Sequence, residues 1–127
     1  MIKCVLDASA ILAVLNGEQG EKKVVPLLPE SAVSSVNLTE VAAKLLEAGM
    51  DEASARLAVS VLGIGEIKDF TEDLAWEAAR LRPLTKQYGL SLGDRACLAL
   101  SIKLNVQAVT ADKEWSKLKL CKVFLIR

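Results

Sequence analysis

The sequence predicts an α/β fold, with a parallel β-sheet covered by helices on both faces. Three observations lead there. Short apolar runs alternate with helix-patterned segments, the arrangement that joins parallel strands through helical crossovers. The side chains are 52% hydrophobic but only 4% aromatic, so Ala, Val, Leu and Ile must build the core. The length of 127 residues suits one compact domain spanning residues 1–127, and no repeat, low-complexity tract or linker interrupts it.

Each element follows from local pattern. "IKCVL" reads as the first strand, and "ASAILAVLN" as a short apolar helix stopped at Asn16-Gly17. "EKKVVPLL" predicts a second short helix with Pro26 near its start or in a break, and "AVSSV" a second strand. "NLTEVAAKLLEAG" predicts a helix with Asn37 as N-cap, a stripe of Leu38, Val41, Ala42, Leu45 and Leu46, and Gly49 as its stop. "DEASARLAVSVLG" repeats that grammar between Asp51 and Gly63, so the two helices form a hairpin at the sheet's edge. "EIKDF" is a third strand. A helix then starts at Thr71 in "TEDLAWEAARL" and is interrupted or ended by "RPLTKQYG". "SLGDRACLALSIKLN" is a helix capped by Ser91 and apolar nearly all round after Asp94. "VQAVT" is a fourth strand, "DKEWSKL" one or two helical turns, and "KVFLI" a last strand.

Composition excludes several classes of chemistry. There is no histidine, which removes Ser–His–Asp and Cys–His catalysis, His-ligated zinc and His-based acid/base ribonuclease chemistry. Cys4, Cys97 and Cys121 are odd in number and far apart, so they read as reduced core residues rather than a zinc site or disulfide framework. The formal net charge is zero, although the tail "DKEWSKLKLCKVFLIR" is locally basic, for which solvated lysines are the default meaning. No apolar run reaches the roughly 18 residues of a membrane helix, and no secretory pattern precedes the first strand. A soluble, cytoplasmic protein without membrane contact is expected.

The chemistry-bearing residues are acids at element junctions. Ligands of open parallel sheets bind beyond the carboxyl ends of the strands. Asp7 ends the first strand, Glu40 lies in the first predicted turn of the helix after the second, Asp94 opens the helix before the fourth, and Asp112 follows the fourth in "VTAD". Each has a purely structural alternative. Asp7 has a less favoured reading as a mere helix cap. Glu40 has capping-box spacing from Asn37 and ion-pair spacing to Lys44. Asp94 has capping spacing from Ser91 and favours the helix dipole, and Asp112 suits a turn. Four acids on one sheet edge would repel one another without a cation, and carboxylate oxygens are the preferred ligands of Mg²⁺ and Mn²⁺.

"VLDASAIL", Glu40 in "NLTEVA", Asp94 in "LGDRACLALS" and "VTAD" together resemble a PIN-domain nuclease, and most closely the VapC-type toxin ribonucleases of toxin–antitoxin pairs. The resemblance covers the whole chain. It implies a three-layer α/β/α sandwich with a five-stranded parallel sheet, a divalent metal (Mg²⁺ or Mn²⁺), an RNA substrate, a cognate antitoxin that inhibits by plugging the pocket, and a homodimer formed by helices from residues 38–62. It assigns Asp7, Glu40, Asp94 and Asp112 to the acidic catalytic and metal positions, with Ser9 and Thr110 in support. Glu114 is the one further acid close to Asp112.

A metal bound by Asp7 and Asp94 could polarise a phosphoryl oxygen and lower the pKa of a bound water, with Glu40 or Asp112 orienting that water or binding a second ion. Arg95 and Lys113 are candidate contacts to the RNA backbone, or else solvated charges. A phosphate-accepting receiver domain is disfavoured, because it needs paired acids after the first strand and an aspartate ending the third. A dinucleotide-binding domain is disfavoured because "DASAIL" contains no glycine. The remaining alternative is a non-catalytic module that keeps the fold and binds RNA or protein.

Overall fold

The computed structural model describes all 127 residues. Five strands, β1 (Cys4–Leu6), β2 (Ser31–Ser34), β3 (Glu66–Lys68), β4 (Gln107–Thr110) and β5 (Val123–Leu125), form one sheet in the order β3-β2-β1-β4-β5. Every pairing is parallel, with Val5 opposite Ala32 and Leu6 opposite Val109. The helices are α1 (Ala8–Asn16), α2 (Glu21–Val24), α3 (Ser35–Glu47), α4 (Glu52–Ser60), α5 (Glu72–Thr85) and α6 (Leu92–Leu104). Three 3₁₀ segments (Val25–Glu30, Lys86–Tyr88 and Lys113–Lys117) complete the chain.

Strand alternation divides the core into two layers. Cys4 and Leu6 of β1, Val33 of β2 and Val109 of β4 pack with buried residues of α1 to α4. Val5, Ala32 and Ala108 point the other way and pack with α5, α6 and Trp115. The three-layer α/β/α arrangement is therefore the one expected, and the absence of polar alternation along the strands follows from burial on both faces. In α6, every residue from Ala96 to Ser101 is buried. The helix lies between the sheet, α3 and α5, which explains an apolar run that a one-sided amphipathic helix would not need. Cys4 and Cys97 are buried and Cys121 half-buried, all as free thiols. No helix is long and apolar enough to cross a membrane.

Several termini fall where local chemistry put them. Gly17 closes α1 in the left-handed region (φ 65°), and its N–H donates to Ala13 O. Asp51, Thr71 and Ser91 each cap the helix that follows. Two expectations need correction. First, β2 ends at Ser34 instead of running through Val36, and Ser34 rather than Asn37 is the N-cap of α3. The Ser34 hydroxyl accepts from Val36 N at 3.2 Å, so the helix starts with no intervening loop. Second, α5 passes through Pro83 to Thr85 and only then tightens into the 3₁₀ turn before Gly89.

The edge strand β3 is seated by Gly65. Its N–H donates to Leu28 O at 3.1 Å. A Cβ on Gly65 would lie 2.6 Å from Pro29 O and 2.7 Å from Ser31 O, both rigid backbone atoms. Gly65→Ala should therefore push β3 off β2 and lower stability by roughly 1–3 kcal/mol, measured by urea unfolding. An unchanged midpoint would show that β3 has room to move.

Candidate functional site

The sheet's strand order reverses at β1, which is flanked by β2 on one side and β4 on the other. The crevice beyond the carboxyl ends of such strands is where open α/β sheets bind ligands. Asp7, the residue after β1, lies there with its backbone tied to β4 through Asp7 N donating to Val109 O at 2.9 Å.

Asp7 occupies the N-cap position of α1 but makes no side-chain cap bond, so the capping alternative fails on geometry. Its Oδ2 instead accepts two hydroxyl protons, from Ser9 Oγ at 2.7 Å and from Thr110 Oγ1 at 2.9 Å. Each hydroxyl in turn accepts a backbone N–H from the segment after β4. Ala111 N donates to Ser9 Oγ at 3.0 Å, and Asp112 N donates to Thr110 Oγ1 at 3.1 Å. The two hydroxyl hydrogens are thus committed to one carboxylate oxygen. Asp7 Oδ1 has no protein partner, yet it is not among the sealed unpaired polar atoms, which are Asn37 Oδ1, Arg95 Nε and Trp115 Nε1.

Glu40 differs from its expected structural role. With the cap at Ser34, it lies in the second turn of α3 and outside any capping box, and Lys44 is in no ion pair. Its Oε1 accepts from Asn37 Nδ2 at 2.8 Å. The same amide nitrogen donates to Gly93 O at 3.0 Å, which joins α3 to the first turn of α6. Asp94 does form the capping box: its Oδ2 accepts from Ser91 N at 2.9 Å, and Ser91 Oγ accepts from Asp94 N at 3.2 Å. Asp112 caps the 3₁₀ segment, with Oδ1 accepting from Glu114 N at 3.0 Å.

One rule covers all four acids: each has one oxygen held by a neutral donor and one oxygen without a protein partner. As these side chains lie, no three of them converge into a closed ligand set. Burial first, and then the charges of Asp94 and Glu40, nevertheless raise the Asp7 carboxyl from 3.8 to about 6, against the lowering effect of Ser9 and Thr110. Asp7, Asp94 and Glu40 therefore share one electrostatic neighbourhood. An all-oxygen set with an unpaired oxygen on each member suits a hard divalent cation, and the neutral donors behind it suit the outer shell of such a site.

The remaining predicted residues are placed differently. Arg95 is half-buried, and one guanidinium N–H donates to Ala78 O of α5 at 3.1 Å. Lys113 is exposed and takes part in none of the ion pairs. Glu114 is exposed and paired with Lys117 at 3.1 Å. Sequence reasoning missed the contributions of Asn37 and Gly93. Asn37 stands three before Glu40 on one helix, a spacing at which side chains meet, and that signal was open to a different interpretation from the cap.

Asp7 thus stands beyond the end of the central strand, at the strand-order reversal of a doubly covered parallel sheet, with Asp94 and Glu40 near enough to raise its pKa. A family model for the PIN domain matches residues 4–120, and the chain belongs to that family. No curated protein sequence matches it. Among solved structures it resembles VapBC2 from Rickettsia felis bound to a promoter DNA fragment, with TM-score 0.76, 20% identity and 98% of each chain covered. It also resembles DNA-bound VapBC from Salmonella typhimurium, with TM-score 0.78, 16% identity and 100% of each chain covered. VapC20 of Mycobacterium tuberculosis, a sarcin-ricin loop cleaving toxin, aligns with TM-score 0.73 and 20% identity over 91% of this chain and 94% of that one.

The electrostatics give a stability prediction. Asp7 titrates at about 6 when folded and at 3.8 as an ordinary carboxyl. Its charged form therefore opposes folding, and stability falls as pH rises between those values. Asp7→Asn keeps an acceptor for both hydroxyls and removes the charge. Without divalent ions it should be more stable than wild type at pH 7.5 by roughly 1–3 kcal/mol, with the gain fading toward pH 4. Urea titrations at the two pH values measure this, and a destabilised variant at pH 7.5 would contradict the charge assignment.

Proposed function

We propose that the protein is a metal-dependent endoribonuclease that hydrolyses RNA phosphodiester bonds, and that it serves as the toxin of a type II toxin–antitoxin pair. The observation that carries this reading is the set of four carboxylates, each fixed through one oxygen and unpaired at the other, around the end of β1. Membership of the PIN-domain family supports a nuclease. The fold shared with VapBC complexes and with a sarcin-ricin loop cleaving toxin supports the toxin role and an antitoxin partner.

Asp7, Asp94, Glu40 and Asp112 are the proposed ligands of Mg²⁺ or Mn²⁺. A bound ion supplies Lewis-acid stabilisation of phosphoryl oxygen charge and a water acidic enough to attack near neutral pH. The chain contributes the rest. Ser9 and Thr110 fix the Asp7 carboxylate without neutralising it, Glu40 or Asp112 orients the attacking water, and Lys113 or Arg95 contacts the RNA backbone. Water oxygen bonds to phosphorus, the bond from phosphorus to the 3′-oxygen breaks, and that oxygen leaves with a proton. Without histidine, the chain lacks the usual acid and base for attack by the RNA's own 2′-hydroxyl.

Cleavage should require Mg²⁺ or Mn²⁺ and stop with chelator. The fragments should carry 5′-phosphate and free 3′-hydroxyl ends by mass spectrometry, and Asp7→Asn and Asp94→Asn should abolish cleavage while remaining folded. A 2′,3′-cyclic phosphate would overturn the mechanism. Metal binding without cleavage of any RNA would favour the non-catalytic module.

A homodimer formed by helices from residues 38–62 is also part of the proposal. An open groove of about 590 Å³ between α3 and α4 is lined by Leu38, Ala42, Ala55 and Val59, among others. Beside it Leu57 is 64% and Val61 72% exposed. A symmetric pair is the commonest way to cover such a patch. Light scattering at micromolar concentration should give a dimer that Leu57→Glu dissociates, whereas a wild-type monomer would contradict the assembly.

A further inference from the structure

The glycine at position 93 has no backbone reason to be there. It lies in the first turn of α6, inside a regular helix, and is not among the glycines with positive φ. Glycine at such a position weakens a helix relative to alanine. Its surroundings supply another reason. A Cβ on Gly93 would lie 2.6 Å from Glu40 Cδ and 2.7 Å from Glu40 Oε2, and it would also collide with Oε1. The Glu40 carboxylate therefore rests on the bare Cα of Gly93. The nearest neighbours of that missing side chain are all atoms of Glu40.

Asn37 fixes the same carboxylate from the other side. It is fully buried, and its two amide hydrogens go to Glu40 Oε1 and to Gly93 O. Both partners are acceptors, so the amide has only one orientation that bonds, and Asn37 Oδ1 is left buried and unpaired. Leaving such an atom unpaired costs free energy, which makes Asn37 a poor choice for packing alone.

We infer that Asn37 and Gly93 are positioning residues that together form the seat of the Glu40 carboxylate. Asn37 holds one oxygen, and the missing side chain at residue 93 provides the space the group occupies. Because the colliding atoms are the end of a flexible side chain, a methyl at residue 93 is accommodated by moving Glu40 rather than by unfolding α6. The inference rests on the proposed metal site for its effect on binding, but the seat itself exists without metal.

The test uses Mn²⁺ titration calorimetry, thermal melting and a crystal structure without metal, on wild type, Gly93→Ala, Glu40→Gln and the double variant. Gly93→Ala should weaken Mn²⁺ binding by roughly tenfold, as loss of an outer-shell support does. Its melting temperature should be unchanged or higher. In the Glu40→Gln background, Gly93→Ala should have little further effect on Mn²⁺ binding. In the metal-free structure of Gly93→Ala, the Glu40 carboxylate should have left Asn37. An unchanged Mn²⁺ affinity would overturn the inference, as would an equal loss in both backgrounds or a lowered melting temperature. If wild type binds no Mn²⁺, the metal-site reading fails, and the metal-free structure of Gly93→Ala alone decides: Glu40 still bonded to Asn37 in that variant would overturn the seat.

Discussion

The rest of the site depends on how the buried Asp7 carboxylate is satisfied. Taking a carboxylate out of water costs several kcal/mol unless other groups compensate. Here the compensation is two hydroxyl bonds to one oxygen, each worth about 1.5–3 kcal/mol when the acceptor is charged. They offset part of the cost, and the carboxyl still sits at about 6. This arrangement constrains the sheet. One hydroxyl comes from α1 and the other from β4, so β1 and β4 must be neighbours in the register that sets Leu6 against Val109.

The donors around the four acids are all neutral: two hydroxyls, an amide and backbone N–H groups. An arginine or lysine would have satisfied these carboxylates more strongly. It would also have supplied the positive charge that, on the proposed reading, an exchangeable ion brings. Neutral donors set the direction of each carboxylate and leave its charge uncompensated. The cost is electrostatic strain in the metal-free protein, carried mainly by the most buried member, Asp7.

Much of this was legible in the sequence. The parallel sheet covered on both faces, and a carboxylate at the end of its first strand, follow from the alternation of elements and from an acid standing at a junction. The roles of Ser9 and Thr110 come only through the resemblance: Ser9 meets Asp7 two residues away, but the bonds that tie both hydroxyls into one network span more than a hundred residues. The sequence pattern places the start of α3 three residues late because Ser34 and Asn37 are both good caps. Local preference cannot choose between them. The choice was made by Gly93 O, a distant acceptor that takes the Asn37 amide into the core. The same contact removed Glu40 from its expected capping box. Gly93 was invisible for a related reason: a small residue records what lies against it, and here that is a side chain 53 positions earlier.

The bonds at Asp7 also bear on when the site comes into being during synthesis. β1 can pair with β2 as soon as residues 31–34 are available, but its other neighbour is β4, at residues 107–110. Until that strand is threaded beside β1, Asp7 lacks the Thr110 hydroxyl and Ser9 lacks the N–H of Ala111. Loop closure over such a distance is slow relative to local helix formation. A nascent chain therefore carries its acids as separate, solvated groups for most of its translation. The hydrogen-bond network at Asp7 is completed in one late step, when the central strand acquires its second neighbour.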